Sequence, residues 1–494
     1  MLRSQRVVTA AAVTAFWLVM VGLFLYREGW FVQAPATTTS TQSFKPQDQW
    51  MGIYLDGDKR VGHLRMKSIE VQQDGVPGYG HTLDVRLETS LFGLTTRLDV
   101  NGKAWTAESG DRSNFNVTLA SGDYHMDIAG ELADGRLKGT MQTGGESIPL
   151  DLPVSGAMLS GGSVGMPGAG MPVLAPGEKA TIAAFDPLAM KMGEATVACV
   201  GEEQLSAGGQ DYSTLVYTTT IGTITSKAWV TPEGEVIQAT TPFGFTLRKI
   251  APETVDEPMP DGTQGDLIQA VAIVPRGEPV FIDATRLKVR ISGIDPETVP
   301  HDPPWQVREG DLIEIRQPAP LPDTAGAVAP PDFDPAPHLG SDPFVAADHP
   351  TIIAKAREIV GAETNPWGQS ILLYAWLFEH VEKVPVLSIP NALDTLRTLQ
   401  GDCNEHSVLY AALARSLGIP CRIAIGVVYS DTLGGFGYHA WPEVYHGGWY
   451  PLDPTLGQVA ADATHIKLFS GDIESWVQLI GFVGQLQLEV LEVE

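Results

Sequence analysis

Residues 401–420 read GDCNEHSVLYAALARSLGIP. Leu409, Leu413 and Leu417 recur at four-residue spacing with Val408 and Ala412 beside them, so this stretch forms one buried stripe of an α-helix. Gly418 and Pro420 stop that helix. At its start Asp402 suits the capping position, and Glu405, three residues on, completes a capping-box pattern. Cys403 then falls in the first turn, where the helix dipole favours a thiolate. A structural cysteine belongs in an apolar stripe, whereas this one is bounded by Gly401, Asp402, Asn404 and Glu405.

A thiolate nucleophile needs a base, and the base needs a group that orients it. Two runs downstream offer both, YHAWPEVY at 438–445 and WYPLDPT at 449–455, joined through His446-Gly447-Gly448. A three-residue loop pairs Tyr445 with Trp449 and sets Trp441 opposite Asp453. His439 and Asp453 then share one face, diagonal to each other and within side-chain reach. A two-residue turn would send Asp453 to the other face, so the chemistry depends on this register. Cys403, His439 and Asp453 are the expected catalytic residues. The Cys403 backbone N–H is a suitable oxyanion donor, with Gln400 as a candidate second one, and Trp441 is expected to wall the cleft.

Upstream, TIIAKAREIV (351–360) reads as a helix ended by Gly361. Asn365-Pro366 opens a second helix, with Pro366 in the first helical position, and Asn391 caps a third. Helices that pass into strands after residue 420 define an α+β domain over 340–494. GDCNEH, the helix ending SLGIPCR, GYHAWPEVY and WYPLDPT resemble the transglutaminase core in its bacterial form, in residue order, flanks and secondary structure. That resemblance implies a papain-like cysteine catalytic domain and acyl transfer. Cys403 attacks an amide, an amine leaves, and water or another amine resolves the thioester. His439 is base and then acid, and Asp453 orients it. Cys421, at a site that is often alanine, and Pro442, inside the histidine strand, depart from the pattern.

The rest of the chain is organised around this domain. Residues 7–26 carry no charge and are long enough for a bilayer core. With Arg3 and Arg6 before them, they predict a transmembrane anchor, a cytoplasmic N-terminus (1–6) and a single-pass membrane location with the catalytic domain exported. A cleaved signal peptide is the alternative. A polar linker (27–47) leads to an antiparallel β-rich domain (48–153), with hairpin turns at Asp56-Gly57, Asn101-Gly102 and Asp134-Gly135. A Gly-rich loop (154–174), a second β-rich region (175–317) and a Pro-rich linker (318–339) follow.

Bulk properties narrow the function. The net charge of −27 disfavours nucleic acid as a partner. Cys199 and Cys421 sit in strand-like apolar runs and read as small hydrophobes. A zinc site from Cys403, His406, His439 and Asp453 would lack paired metal-ligand spacing, so no metal and no cofactor is expected. Two function classes remain. One is an exported, membrane-tethered acyl-transfer enzyme acting on peptide or protein amides in the envelope. The other is a catalytically silent binding or scaffold protein that uses its β-rich region.

Overall fold

The computed structural model describes residues 47–494 apart from 56–58, 92–93, 109–111, 123, 134–135, 144–145, 154–173, 187–190, 222–223, 241–244, 256–270, 320–332, 343, 385–389, 472–478 and 480–481. Of the described residues, those before 271 fall in one compact unit and those from 271 in another.

The first unit is a single fourteen-stranded sheet. Its strands alternate buried and exposed residues. In Lys59–Gln73, for example, Leu64, Met66 and Ser68 turn inward and their neighbours outward, as expected of strands with one covered face. One meander runs from Gln47–Leu55 to Glu146–Pro153 and a second from Lys179–Asp186 to Thr246–Lys249. The first strand of one joins the last strand of the other, with Met51 opposite Lys249 and Tyr54 opposite Thr246. The two β-rich stretches therefore share one sheet, which corrects the expectation of separate β-rich domains. Asn101-Gly102 is not a turn. It lies inside the strand Leu94–Ala107, with Gly102 paired to Leu83 on one side and Val117 on the other.

The second unit holds the four α-helices, two larger sheets and a short parallel pair, Glu382–Lys383 with Gln400–Gly401. A five-stranded sheet runs in the order Arg276–Gly277, Gln487–Val493, Arg286–Ser292, Leu312–Arg316, Gln306–Glu309. The strands at 286–316 thus pair with the C-terminal strand rather than continuing the second β-rich region, and Leu287, Val289, Ile313, Leu488 and Val490 are buried with them.

Four helices precede the other sheet: α1 (Pro350–Val360), α2 (Pro366–His380), α3 (Ala392–Thr398) and α4 (Cys403–Ser416). Each starts where a capping residue stands. His349, Asn365, Asn391 and Asp402 accept from the first free backbone N–H groups. Gly361 ends α1 at φ 56°. The four-stranded core sheet consists of β1 (Cys421–Ser430), β2 (Gly435–Tyr445), β3 (Trp449–Pro451) and β4 (Ile466–Ser470), in the order β3-β2-β1-β4. α4 packs on β2. Gly426 lies between His439 on β2 and Lys467 on β4. A Cβ there would meet the Ile466 carbonyl oxygen at 2.0 Å, so glycine permits this close pairing.

Across the described residues strands dominate helices, which corrects the weight given to α+β architecture; the α+β pattern is confined to the second unit. No helix among them is long and apolar enough to cross a membrane. The expected transmembrane anchor and single-pass membrane location therefore find no support among the described residues. The span 7–26 and most of its linker lie outside the described residues, as do nearly all of the Gly-rich loop and much of the Pro-rich linker.

Candidate active site

The start of α4 is built as its sequence suggests. The Asp402 side chain accepts from Asn404 N at 3.0 Å, and Glu405 Oε2 accepts from Asp402 N at 3.0 Å. This closes the capping box and leaves Cys403 as the first helical residue. The Cys403 sulfur lies against β2, in hydrogen-bond contact with the Ala440 backbone.

The hairpin has the three-residue loop, with Tyr445 opposite Trp449 and Glu443 opposite Pro451. Beyond the ladder, Leu452 N donates to the Pro442 carbonyl at 3.0 Å, which carries the register toward Asp453. His439 Nε2 then donates to Asp453 Oδ2 at 2.6 Å. The carboxylate is fixed from behind, because its Oδ1 accepts from the Thr455 and Leu456 backbone N–H groups, both at 2.8 Å. With Nε2 committed, His439 Nδ1 is buried and makes no hydrogen bond.

A second histidine completes the cluster. His465 Nε2 is 3.1 Å from the same Asp453 Oδ2, and its Nδ1 is 3.1 Å from Asp462 Oδ1. Asp462 is held in turn by Thr464 N at 2.9 Å and Gln458 Nε2 at 2.8 Å. Trp441 covers the group, its ring 5.9 Å from that of His439 and 5.0 Å, edge-on, from that of His465. Neither His465 nor Asp462 is legible as a site residue in the sequence. Asp462-Ala463-Thr464-His465 is a short Asp-capped turn, and no periodicity ties it to Asp453.

Cys403, His439 and Asp453 are each 0% exposed. Burial pushes the Cys403 thiol well up, and the neighbouring Asp402 charge adds to this. Burial also lowers the basicity of His439, against the pull of Asp453. Both shifts favour the neutral thiol and the neutral imidazole, against the thiolate that the helix terminus alone suggests. Burial would raise Asp453 too, but the charge of and hydrogen bonds from its histidines outweigh it and hold the carboxyl well below the usual range. His465 would lose basicity by burial, yet its bonds to Asp453 and Asp462 raise it to about 9.

Gln400 donates through Nε2 to Glu382 Oε2 at 3.1 Å. Behind Trp441, Lys467 Nζ bridges Glu443, at 2.9 and 3.0 Å, and Asp302, while Arg422 pairs with the same two carboxylates. His406 Nδ1 donates to the Asp402 carbonyl at 2.6 Å, and burial lowers its pKa to about 4, so it is a neutral member of the first turn. One group of three described residues has spacing that a metal ion would accept: His439, Asp453 and His465. Their facing atoms are already joined by hydrogen bonds, and a doubly donating His465 has no lone pair to offer a metal.

These shifts set a pH dependence. A folded-state pKa raised to about 9 means that His465 stabilises the fold fully below about pH 6.5. The contribution is lost as the pH rises from there to 9, and is on the order of 2–3 kcal/mol. His406 and His446, both lowered by burial to about 4, add a penalty that grows as the pH falls from about 6.5 toward 4. Urea denaturation from pH 5 to 9 is expected to show stability falling at both ends, with the alkaline fall flattened in His465→Gln. An unchanged alkaline arm in that variant would contradict the charge state of His465.

A cysteine at a helix start, packed on the strand that carries the histidine of a buried His–Asp pair, is the arrangement a thiol nucleophile requires. Residues 353–454 match the family model of the transglutaminase-like superfamily. The match supports a cysteine-based enzyme, a hydrolase or acyltransferase. No curated protein matches the chain. Among solved structures, the chain is similar to a candidate cysteine protease from Cytophaga hutchinsonii (15% identity, TM-score 0.27, 42% of this chain and 86% of that one). It is similar to a β-barrel-like protein of a domain of unknown function from Brucella abortus (11%, 0.28, 43% and 97%). It is also similar to a candidate protease from Parabacteroides distasonis (11%, 0.20, 77% and 68%).

Proposed function

We propose that the second unit is a thiol acyl-transfer enzyme acting on peptide or protein amides. The observation that carries this reading is the 2.6 Å bond from His439 Nε2 to Asp453, which leaves Nδ1 as the free basic nitrogen on the strand against which the Cys403 sulfur packs. In the reaction, Cys403 Sγ bonds to the amide carbon as its proton passes to His439 Nδ1. The C–N bond then breaks and His439 returns that proton to the leaving amine. Water or a second amine attacks the thioester, again with His439 as base, and frees the thiol. Asp453 keeps the imidazole in the tautomer that donates from Nε2.

A second reading, a catalytically silent binding protein, is favoured by one observation: Cys403 is wholly buried, which pushes its thiol pKa up and disfavours the nucleophilic thiolate. Intact-mass measurement of the full chain with activated acyl donors separates the two. A thioester on Cys403 alone, discharged by water or by added amine, supports the enzyme. Absence of any adduct on Cys403 leaves the silent reading. Competition between water and amine at that thioester decides hydrolysis against cross-linking.

Stabilisation of the oxyanion falls to the Cys403 backbone N–H. Gln400 would join it only by releasing Glu382. Gln400→Ala is therefore expected to lower kcat by less than about tenfold, against about 10²–10³ for an essential donor. A loss in the larger range, measured on the same acyl donor, would restore Gln400 to the oxyanion site.

A further inference from the structure

We infer that His465 is a positioning residue for the reaction, a fixed cation between Asp453 and Asp462 that orients the Asp453 carboxylate and moderates its pull on His439. The inference rests on the thiol-enzyme reading for its role in turnover, and on geometry alone for its charge. Both ring nitrogens of His465 face carboxylate oxygen, Nε2 at 3.1 Å from Asp453 Oδ2 and Nδ1 at 3.1 Å from Asp462 Oδ1 and 3.2 Å from the Asp462 carbonyl. A neutral imidazole would aim a lone pair at one of these oxygens, whichever tautomer it took. Only the doubly protonated ring satisfies both ends, and the site is too buried for water to replace either bond.

Two consequences follow for His439. First, Asp453 Oδ2 is shared by two imidazoles while its Oδ1 is held by two backbone N–H groups, so the carboxylate has no freedom to rotate. Second, the three charges of Asp453, His465 and Asp462 leave one net negative charge, spread over two carboxylates. The imidazolium that His439 must form and discharge in each cycle is stabilised less than it would be by an isolated Asp453. A base that binds its proton too firmly is slow to return it to the leaving amine. Other charged groups around the cluster are accounted for. Lys383 interacts with Asp453, as does His406, which is neutral, and Lys467 is neutralised by Asp302 and Glu443 on the Trp441 side. Arg316 lines a small hollow together with Trp441, Asp462, His465 and Lys467 and pairs with Glu314.

The test uses the full chain with ring ¹⁵N NMR of its histidines and a pH profile of kcat/KM. In the wild type, both His465 nitrogens are expected to be protonated at pH 7. In His465→Gln, the limb that reports His439 is expected to move up by about one pH unit. If the single variant fails to fold, the double variant His465→Gln/Asp462→Asn keeps the bonding pattern with neutral amides and is read the same way. A merely structural histidine would lower rates equally at every pH and leave the limb in place. A wild-type His465 with one unprotonated nitrogen at pH 7, or an unmoved His439 titration, overturns the inference. If the wild type turns over no acyl donor, the acyl-transfer reading fails by itself, and the NMR titration of His439 in both proteins still decides the charge inference.

Discussion

Alanine at position 403 is expected to lower amide or ester turnover by at least about 10³-fold, to the level that binding and the oxyanion donor alone sustain. The fold should survive. Cys403 is buried in the first turn of α4, but the capping box that starts the helix uses Asp402 and Glu405, and the apolar stripe uses Leu409 and Leu413. Loss of one sulfur atom costs about 1 kcal/mol of packing. Turnover of a chromogenic amide, alongside a thermal melt of the same preparation, checks both halves. Retained turnover in a well-folded variant would end the thiol mechanism.

The other large effect belongs to Asp453→Asn. An amide accepts through one oxygen only, so it cannot serve His439, His465 and two backbone donors together. Turned one way it abandons the Thr455 and Leu456 N–H groups. Turned the other, it points its NH₂ at His439 and forces the proton onto Nδ1, where the base should be free. Turnover is expected to fall by about 10³–10⁴-fold. Stability should drop by about 3–5 kcal/mol, because His465 keeps a buried charge with one of its two partners gone. Stopped assays and urea melts at pH 7 measure the two losses, and the inference about the cluster predicts that both appear together. A variant that lost activity at wild-type stability would show that Asp453 orients His439 without bearing the His465 charge.

Much of this site was legible in the sequence because the relevant signals are local. Asp402 and Glu405 mark a helix start, Asn365 and Asn391 mark two more, and His446-Gly447-Gly448 sets a loop length from which the diagonal pairing of His439 and Asp453 follows by counting. What was missed depends on contacts between distant segments. His465 meets Asp453 only because β4 returns beside β1, and nothing in Asp462-Ala463-Thr464-His465 announces that return. Asn101-Gly102 has the composition of a turn, yet neighbours on both sides of its strand continue the ladder through it, and pairing outweighs the dipeptide's preference. The burial of Cys403 was likewise hidden, since local polarity around a residue does not report what packs over it. The two β-rich stretches looked separate because each is a run of neighbouring hairpins, and only the pairing of their outermost strands joins them.

The five-stranded sheet of the second unit bears on when this protein becomes competent. Gln487–Val493 lies between Arg276–Gly277 and Arg286–Ser292, so an interior strand of that sheet is separated from both its neighbours in the chain by all four helices and the core sheet. Until it pairs, Val289 and Ile291 lack their strand partners Val490 and Leu488, and the folding chain carries an open strand edge. Closure of that gap is a long-range event and correspondingly slow.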